Sequence, residues 1–208
     1  MSDKRLIFLV VIIGIGIAMA VLFPAGRDSY VAKSRAIAMC GRNLYYIMEK
    51  NNERPNTDEK WINPQECLNS VDFFNRVLSV NGINVQEGCF TDEKVSLWNV
   101  AINIPECYGE LFPVLISANF NPKLLAGDTD ETLLPIGRKS GAHLSLLNDK
   151  AIIIVRKNGM FDIIKSKYCN RKNILKSSLD SSDAVYYLTP SGKMTLNLSC
   201  RKTNEERD

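Results

Sequence analysis

The sequence has few of the residues on which common catalytic and metal sites depend. Its 208 residues include one histidine, two tryptophans and no C-x-x-C pair. The spacing of a structural zinc site is therefore absent. There is also no H-E-x-x-H helix and no complete phosphate-binding loop. The single histidine, His143, lies in an alternating, strand-like segment where a structural role is expected. We predict a protein that is not an enzyme and binds no cofactor.

The charge pattern gives no sign of a nucleic-acid partner. Basic residues number 26 and acidic residues 23, for a net charge of +3. The basic residues are scattered, with tight pairs at Arg138-Lys139 and Arg171-Lys172. Nucleic-acid-binding domains concentrate such charge on one face. We expect an ordinary solvated surface and no nucleic acid among the partners.

An unbroken apolar run, Leu6 to Phe23, occupies eighteen residues near the start of the sequence. As an α-helix it would extend roughly 27 Å, close to the hydrocarbon thickness of a bilayer. It predicts a single transmembrane helix at 6–23, with a cytoplasmic tail at 1–5 and the lipid bilayer as a partner. Within it, Gly14 and Gly16 would let a neighbouring helix approach closely, unless they are simply tolerated small residues.

A cleaved secretory signal is the alternative interpretation of this run. Ala18-Met19-Ala20 fits the small-residue pattern of a cleavage site. The apolar stretch nevertheless continues through Phe23, whereas a signal peptide usually becomes polar after its cleavage site. We therefore interpret the run as a retained anchor.

Beyond Pro24 the pattern becomes that of an amphipathic helix. Pro24 is expected to kink the helix and not to end it, because a membrane helix can tolerate the lost hydrogen bond. We predict one continuous helix whose transmembrane part is followed by an amphipathic extension at 24–53. Its apolar residues recur at intervals of three and four: Tyr30, Ile37, Cys40, Leu44, Ile47 and Met48.

The rest of the chain is predicted to form an extracytoplasmic α+β domain at 54–200 and a disordered charged tail at 201–208. An antiparallel sheet would lie against the amphipathic helix, because each element buries its apolar face on the other. The first expected element is a helix from Ser70 to Asn81-Gly82. It is followed by β segments at 95–104, 113–118 and 142–147. Two hairpins complete the domain: 151–156 with 160–165, through a type I′ turn at Asn158-Gly159, and 184–189 with 194–199.

Six dispersed cysteines predict disulfides if the domain lies in an oxidising compartment. A bond between Cys169 and Cys200 would close off the last hairpin. A bond between Cys89 and Cys107 would flank the first strand. Cys40 lies on the apolar stripe of the helix, where a core role is equally expected. Six cysteines allow fifteen pairings, so the connectivity stays open.

Two sets of segments are shared with a known family. The apolar run contains Gly16, ends on Leu22-Phe23-Pro24-Ala25 and is followed by basic residues, Cys40 and Asn43-Leu44. In this it resembles the N-terminal helix of type IV pilins and type II secretion pseudopilins. A second, ordered set of segments resembles the globular part of such prepilin-like proteins. These segments are SVDFF from Ser70, LWNVA from Leu97, FPVLI from Phe112 with Asn119, and AIIIV from Ala151 with Asn158-Gly159.

This resemblance implies a pilin-like fold and a structural function. The chain would be a minor or tip pseudopilin-like component of a type II secretion or type IV pilus-like system. It would sit in the bacterial inner membrane, with its N-terminus cytoplasmic and its C-terminal domain periplasmic or extracellular. Its partners would be other pilin-like subunits or inner-membrane proteins of the secretion system.

Two residues depart from the family's entry motif. Aligned on Pro24, Ser2 stands at the cleavage-site glycine and Ile7 at the glutamate. In the family, that glutamate offers a buried negative charge to the N-terminus of a neighbouring subunit. Because Ile7 carries no charge, we expect a component other than a bulk filament subunit. The alternative is a non-polymerising, anchored or secreted binding module of pilin ancestry.

An acidic stretch provides one candidate for a metal site. Asp128, Asp130 and Glu131 lie within four residues of one another. Closely spaced carboxylates suit Ca²⁺, and some pseudopilins bind this ion in a loop. An ordinary acidic surface loop is the simpler interpretation.

Overall fold

The computed structural model describes residues 31–84, 88–104, 108–126, 151–176 and 184–197. The chain divides into two compact units, Met1–Ala36 and Ile37–Asp208. The contacts given below lie within the second unit.

The predicted anchor falls outside the described residues. The apolar run at 6–23 is not among them, nor are Gly14, Gly16 and Pro24. In the part of the chain that the structure describes, no helix is both long enough and apolar enough to cross a bilayer.

The described part of the chain contains helices and strands in an α+β arrangement. The helices are α1 at 31–52, α2 at Ser70–Val80, α3 at Asp92–Val95 and α4 at Arg171–Leu175. The strands are β1 at Trp98–Ile102, β2 at Pro113–Ser117, β3 at Ala151–Arg156, β4 at Phe161–Lys165, β5 at Ala184–Thr189 and β6 at Gly192–Asn197. Short 3₁₀ turns lie at Pro64–Glu66, Gly88–Phe90, Pro122–Ala126 and Ser166–Tyr168.

The six strands form one antiparallel sheet in the order β4-β3-β2-β1-β5-β6. Strands β1 to β4 form a meander, and β5 returns to pair with the free side of β1, placing Leu188 opposite Val100. At the far end, Ile163 of β4 lies opposite Ile153 of β3. The predicted α+β class and the antiparallel sheet are therefore confirmed.

Both faces of the sheet are covered, and this explains why β1, β2 and β3 are buried along their whole lengths. A strand with one wet face would alternate between buried and exposed residues. The core on the helix side joins residues of α1 and α2 to Trp98, Val100, Ile102, Ile153, Val155 and Leu188. The core on the other face contains Phe112, Ile116, Phe120, Ile152, Ile154, Ile174, Val185 and Tyr187.

The apolar stripe of α1 faces this sheet, as the spacing of its residues predicts. Ile37, Leu44 and Met48 are buried in the helix-side core, and Ile47 packs against it half-buried. A helix that buries one stripe gains most of its stability from that packing. The amphipathic pattern is thus satisfied by the sheet within the same chain.

A glycine lets α1 approach the sheet closely. Gly41 is in van der Waals reach of the fully buried Trp98 ring, and a Cβ at position 41 would overlap ring atoms Cζ2 and Cη2. The tryptophan is the first residue of β1. The contact therefore fixes the helix against the middle of the sheet.

A disulfide joins α1 to the segment before β1. Cys40 is bonded to Cys89, with the Cα atoms 4.9 Å apart, a separation inside the usual disulfide range of about 4.4–6.8 Å. The predicted bond between Cys89 and Cys107 is therefore wrong. The spacing along the chain favours a local partner, but packing of α1 on the sheet brings Cys40 to Cys89. Cys169 is a buried free thiol, and its predicted partner Cys200 lies outside the described residues.

Buried Arg156 ties four parts of the domain together. Its guanidinium, whose side chain is 1% exposed, pairs with Asp162 of β4 at 2.7 Å. It also donates to the carbonyls of Leu111 at 2.5 Å, Ile174 at 2.6 Å and Asn173 at 3.2 Å. A buried charge needs this degree of hydrogen bonding. The arginine also supplies donors to carbonyls at the end of α4.

Three local predictions need correction. The side chain of Asn69, not Ser70, caps α2 by accepting from the Asp72 N–H at 2.8 Å. Val95 ends α3 and does not start a strand. The β3–β4 turn is closed by the Gly159 N–H donating to the Arg156 carbonyl at 2.8 Å. Positive φ occurs at Gly159 but not at Asn158, so the turn resembles a bulged hairpin and is not type I′.

We predict that Gly41→Ala destabilises the domain through its clash with Trp98. Overpacking should outweigh the gain in helix propensity and lower the free energy of unfolding by about 1–2 kcal/mol. Urea unfolding of the full chain measures this change. Gly109→Ala is the matched control, since that position has nothing within 4 Å of a Cβ. Trp98→Phe in the Gly41→Ala background should recover part of the loss; two additive losses would contradict the contact.

Reduction of the Cys40–Cys89 bond should destabilise the domain. The bond joins residues separated by 49 positions, and a loop of that size corresponds to about 4 kcal/mol in the loop-entropy treatment. Dithiothreitol should therefore lower the unfolding midpoint of the wild-type chain. The Cys40→Ala/Cys89→Ala variant should start lower and show no response to the reductant. A response of equal size in both proteins would place the sensitive disulfide elsewhere.

Candidate functional site

A cleft of about 340 Å³ opens beside the C-terminal half of α1. It lies between this helix, the segment that follows it and the end of β1. We call it the Glu49 cleft. Its polar lining comes from Glu49, Asn52, Asn103 and Lys157, and its apolar lining from Met48, Trp61, Pro64, Phe73, Ala101, Ile102, Ile104 and Val114.

One buried amide positions the tryptophan wall of the cleft. Asn51 is fully buried, donates from Nδ2 to the Ile62 carbonyl at 3.0 Å and accepts at Oδ1 from the Ile62 N–H at 2.9 Å. The side-chain amide thus bonds to both main-chain groups of Ile62, as a residue of a neighbouring strand would. It fixes the chain next to Trp61, which lines the cleft together with Glu49 and Asn52 of α1.

The end of β1 forms the opposite wall. Asn103 follows the strand with φ 53°, in the left-handed region that asparagine tolerates better than most residues. This conformation turns the chain out of the sheet directly after Ile102. Asn103 is exposed, so its amide borders the entrance of the cleft.

The β3–β4 turn brings Lys157 to the same place. The hydroxyl of Tyr45 on α1 donates to the Lys157 carbonyl, and the Lys157 N–H donates to the Phe112 carbonyl at 2.9 Å. Gly159 packs against the rings of Tyr45 and Tyr46. These contacts fix the backbone of Lys157. Its ammonium group is held by donating from Nζ to the Tyr108 carbonyl at 3.3 Å.

Burial governs the electrostatics of the cleft. Desolvation raises the pKa of Glu49, and the nearby Glu53 carboxylate raises it further. The Asn52 amide, which donates to Glu49 at 3.3 Å, and the Lys157 ammonium act in the opposite direction. Burial, followed by the charges of Glu49 and Glu110, raises the pKa of Tyr45. The negative charge of Glu49 is therefore only partly compensated.

This arrangement suits binding by a polar group with an apolar stem. The cleft offers a half-buried carboxylate, an ammonium group, two amides and an indole wall. A few fixed polar groups within an apolar lining are typical of ligand and side-chain pockets. In the described part of the chain, no group of three histidine, cysteine, aspartate or glutamate residues could hold a metal ion.

Most residues singled out in the sequence lie elsewhere. The calcium candidates Asp128, Asp130 and Glu131 and the histidine His143 are outside the described residues. The sequence did not identify the Glu49 cleft, because its walls come from segments far apart in the chain. One signal was present: Glu49 follows Met48 at the edge of the apolar stripe, where a carboxylate becomes partly desolvated.

Comparisons of the chain with protein-family models, curated proteins and solved structures find no match.

We predict that Glu49→Gln stabilises the protein at neutral pH. Since the folded-state pKa of Glu49 is raised, ionised Glu49 weakens folding. This loss is absent below the unfolded-state pKa and becomes complete as the pH rises through the folded-state pKa. The variant should gain less than about 1 kcal/mol at pH 7, because solvent screens a half-exposed group. At about pH 3.5, where Glu49 is protonated in both states, the gain should vanish.

The measurement is urea unfolding of both proteins at the two pH values. Glu59→Gln, at an exposed position, is the control for loss of one negative charge. If Glu49→Gln lowers the free energy of unfolding at pH 7, the ionised carboxylate stabilises the fold, and the prediction is wrong.

Proposed function

We propose that the chain is a membrane-anchored, pilin-like structural component, of the minor or tip pseudopilin kind, in a type II secretion or type IV pilus-like system. The observation that carries this proposal is the order of elements. An apolar run at 6–23 precedes a helix, α1, whose own apolar stripe is buried on an antiparallel sheet. In this order, the hydrophobic anchor comes directly before α1, the helix that packs on the sheet.

We infer further that α1 continues toward the N-terminus through Pro24 into the apolar run, forming one long helix. Pro24 removes one hydrogen bond and favours a kink at that point. The disulfide between Cys40 and Cys89 supports a location outside the cytoplasm, where such bonds persist. The N-terminus would then be cytoplasmic and the sheet domain periplasmic or extracellular.

The isoleucine at position 7 favours a component present in few copies. A bulk filament subunit of the family carries a glutamate there, and Ile7 cannot offer its charge to a neighbouring subunit. Close packing with other pilin-like helices would depend instead on Gly14 and Gly16, where small side chains let helices approach.

The Glu49 cleft supports a second candidate, a non-polymerising binding module of the same ancestry. Its half-buried carboxylate and Trp61 form a preformed pocket that a purely structural domain does not require. In this case the anchor would only hold the domain at the membrane surface. The two candidates differ in whether the apolar run contacts other pilin-like helices.

Photo-crosslinking within the apolar run distinguishes the two. A photoreactive amino acid at Ile13 or Ile17 should crosslink the full chain to other pilin-like membrane proteins, and the same probe at Lys60 should not. Gly14→Leu/Gly16→Leu should reduce the yield at least about fivefold by preventing close approach. Crosslinks to lipid alone would favour the binding module. A mature chain beginning after Ala20 would overturn the anchor in both.

A further inference from the structure

Strand β4 and the segment after it carry a concentrated positive charge. Residues 161–176 contain the basic side chains of Lys165, Lys167, Arg171, Lys172 and Lys176 and a single acidic one, Asp162. The charge of Asp162 is engaged by buried Arg156 at 2.7 Å and by Lys176 at 2.8 Å. Burial raises the pKa of Asp162, but hydrogen bonds from these two cations outweigh this effect and lower the pKa. Asp162 is therefore shared between Arg156 and Lys176, and the exposed Lys165 and Lys167 are not neutralised by it.

A groove of about 370 Å³ runs beside β4 on this basic surface. Its lining comes from the strand itself and from the segment around α4: Asp162, Ile163, Ile164, Lys165, Tyr168, Asn173 and Lys176. The Tyr168 ring is 54% exposed, and the ammonium of Lys167 lies 4.7 Å from its centre. The groove thus combines apolar and aromatic lining residues with the side chains of Lys165 and Lys176.

The backbone of β4 is available on the same side. Among the described strands β4 pairs only with β3. The turn closes with the Arg156 N–H donating to the Met160 carbonyl at 2.8 Å. Because hydrogen-bonded pairs alternate along an antiparallel ladder, Asp162 and Ile164 bond to β3. The main-chain groups of Ile163 and Lys165 consequently point away from the sheet, toward the groove.

We propose that the edge of β4 binds an extended, acidic segment of a partner protein by strand addition. Outward main-chain groups at alternate residues form a template to which an extended segment can pair as an added strand. The lysines beside the groove select carboxylates, and the Tyr168 ring offers a surface for an alternate apolar side chain. The same lysines repel a second copy of β4, so self-pairing of this edge is disfavoured.

The proposal can be tested with a defined probe. We would use a fluorescein-labelled eight-residue peptide of alternating glutamate and valine, titrated into the full chain in phosphatidylcholine nanodiscs and followed by anisotropy. Lys165→Glu/Lys167→Glu should weaken binding at least about tenfold through reversed charge. Lys50→Glu/Lys60→Glu, which changes net charge equally at exposed positions away from β4, should leave the affinity within about twofold.

Two further measurements separate strand addition from simple charge attraction. The same peptide with every backbone nitrogen methylated keeps all its carboxylates but has no N–H donors, and it should bind at least about tenfold more weakly. Bound peptide should also protect the Ile163 and Lys165 amides from hydrogen exchange. Equal affinity for the methylated peptide, or unchanged exchange, would overturn the proposal.

The nature of the partner is tested in the same system. If phosphatidylglycerol in the nanodisc abolishes binding of the peptide, an anionic lipid surface occupies the groove and the proposal fails. If the peptide of alternating lysine and valine binds as well as the glutamate peptide, the surface is not selective for acid and the proposal also fails.

Discussion

The close contact between Gly41 and Trp98 is the constraint on which the rest of the domain depends. It sets the distance between α1 and the sheet, and the other contacts of this helix with the domain form at that distance. One residue before it, Cys40 reaches Cys89; one turn later, Tyr45 reaches the Lys157 carbonyl. At the helix end, Asn51 holds the Ile62 backbone. A Cβ at position 41 would overlap the Trp98 ring, so the ring or the helix would have to shift.

The sequence predicted those parts of the fold that depend on periodicity. The apolar stripe of α1 has the spacing of a helix face, and the hydrophobic runs of β2 and β3 have the length of strands. The predicted bounds of β2 and β3 agree with the structure to within one residue. The antiparallel sheet on a helix followed from pairing their apolar faces. Local turn chemistry was less reliable: Asn158-Gly159 marks a turn correctly, but the pair does not determine which kind of turn forms.

Features created by tertiary contact could not be predicted in this way. Cys40 and Cys89 become neighbours only after α1 has packed beside the segment that precedes β1. The Glu49 cleft takes Glu49, Trp61 and Lys157 from a helix, a loop and a hairpin. Arg156, the last residue of β3, is a buried cation whose guanidinium donates four hydrogen bonds, one to Asp162 and three to main-chain carbonyls. Each depends on three-dimensional proximity that residue spacing does not encode.

The position of the disulfide has a mechanical consequence. A pulling force applied along α1 from its N-terminal side meets a covalent bond at Cys40 before it reaches Tyr45 or Asn51. The load then divides, and part of it passes through Cys89 toward the central strand β1. Strands in the middle of a sheet resist such tension through several neighbours at once. The Glu49 cleft, which lies beyond the branch point on α1, therefore receives only the remaining part of the load.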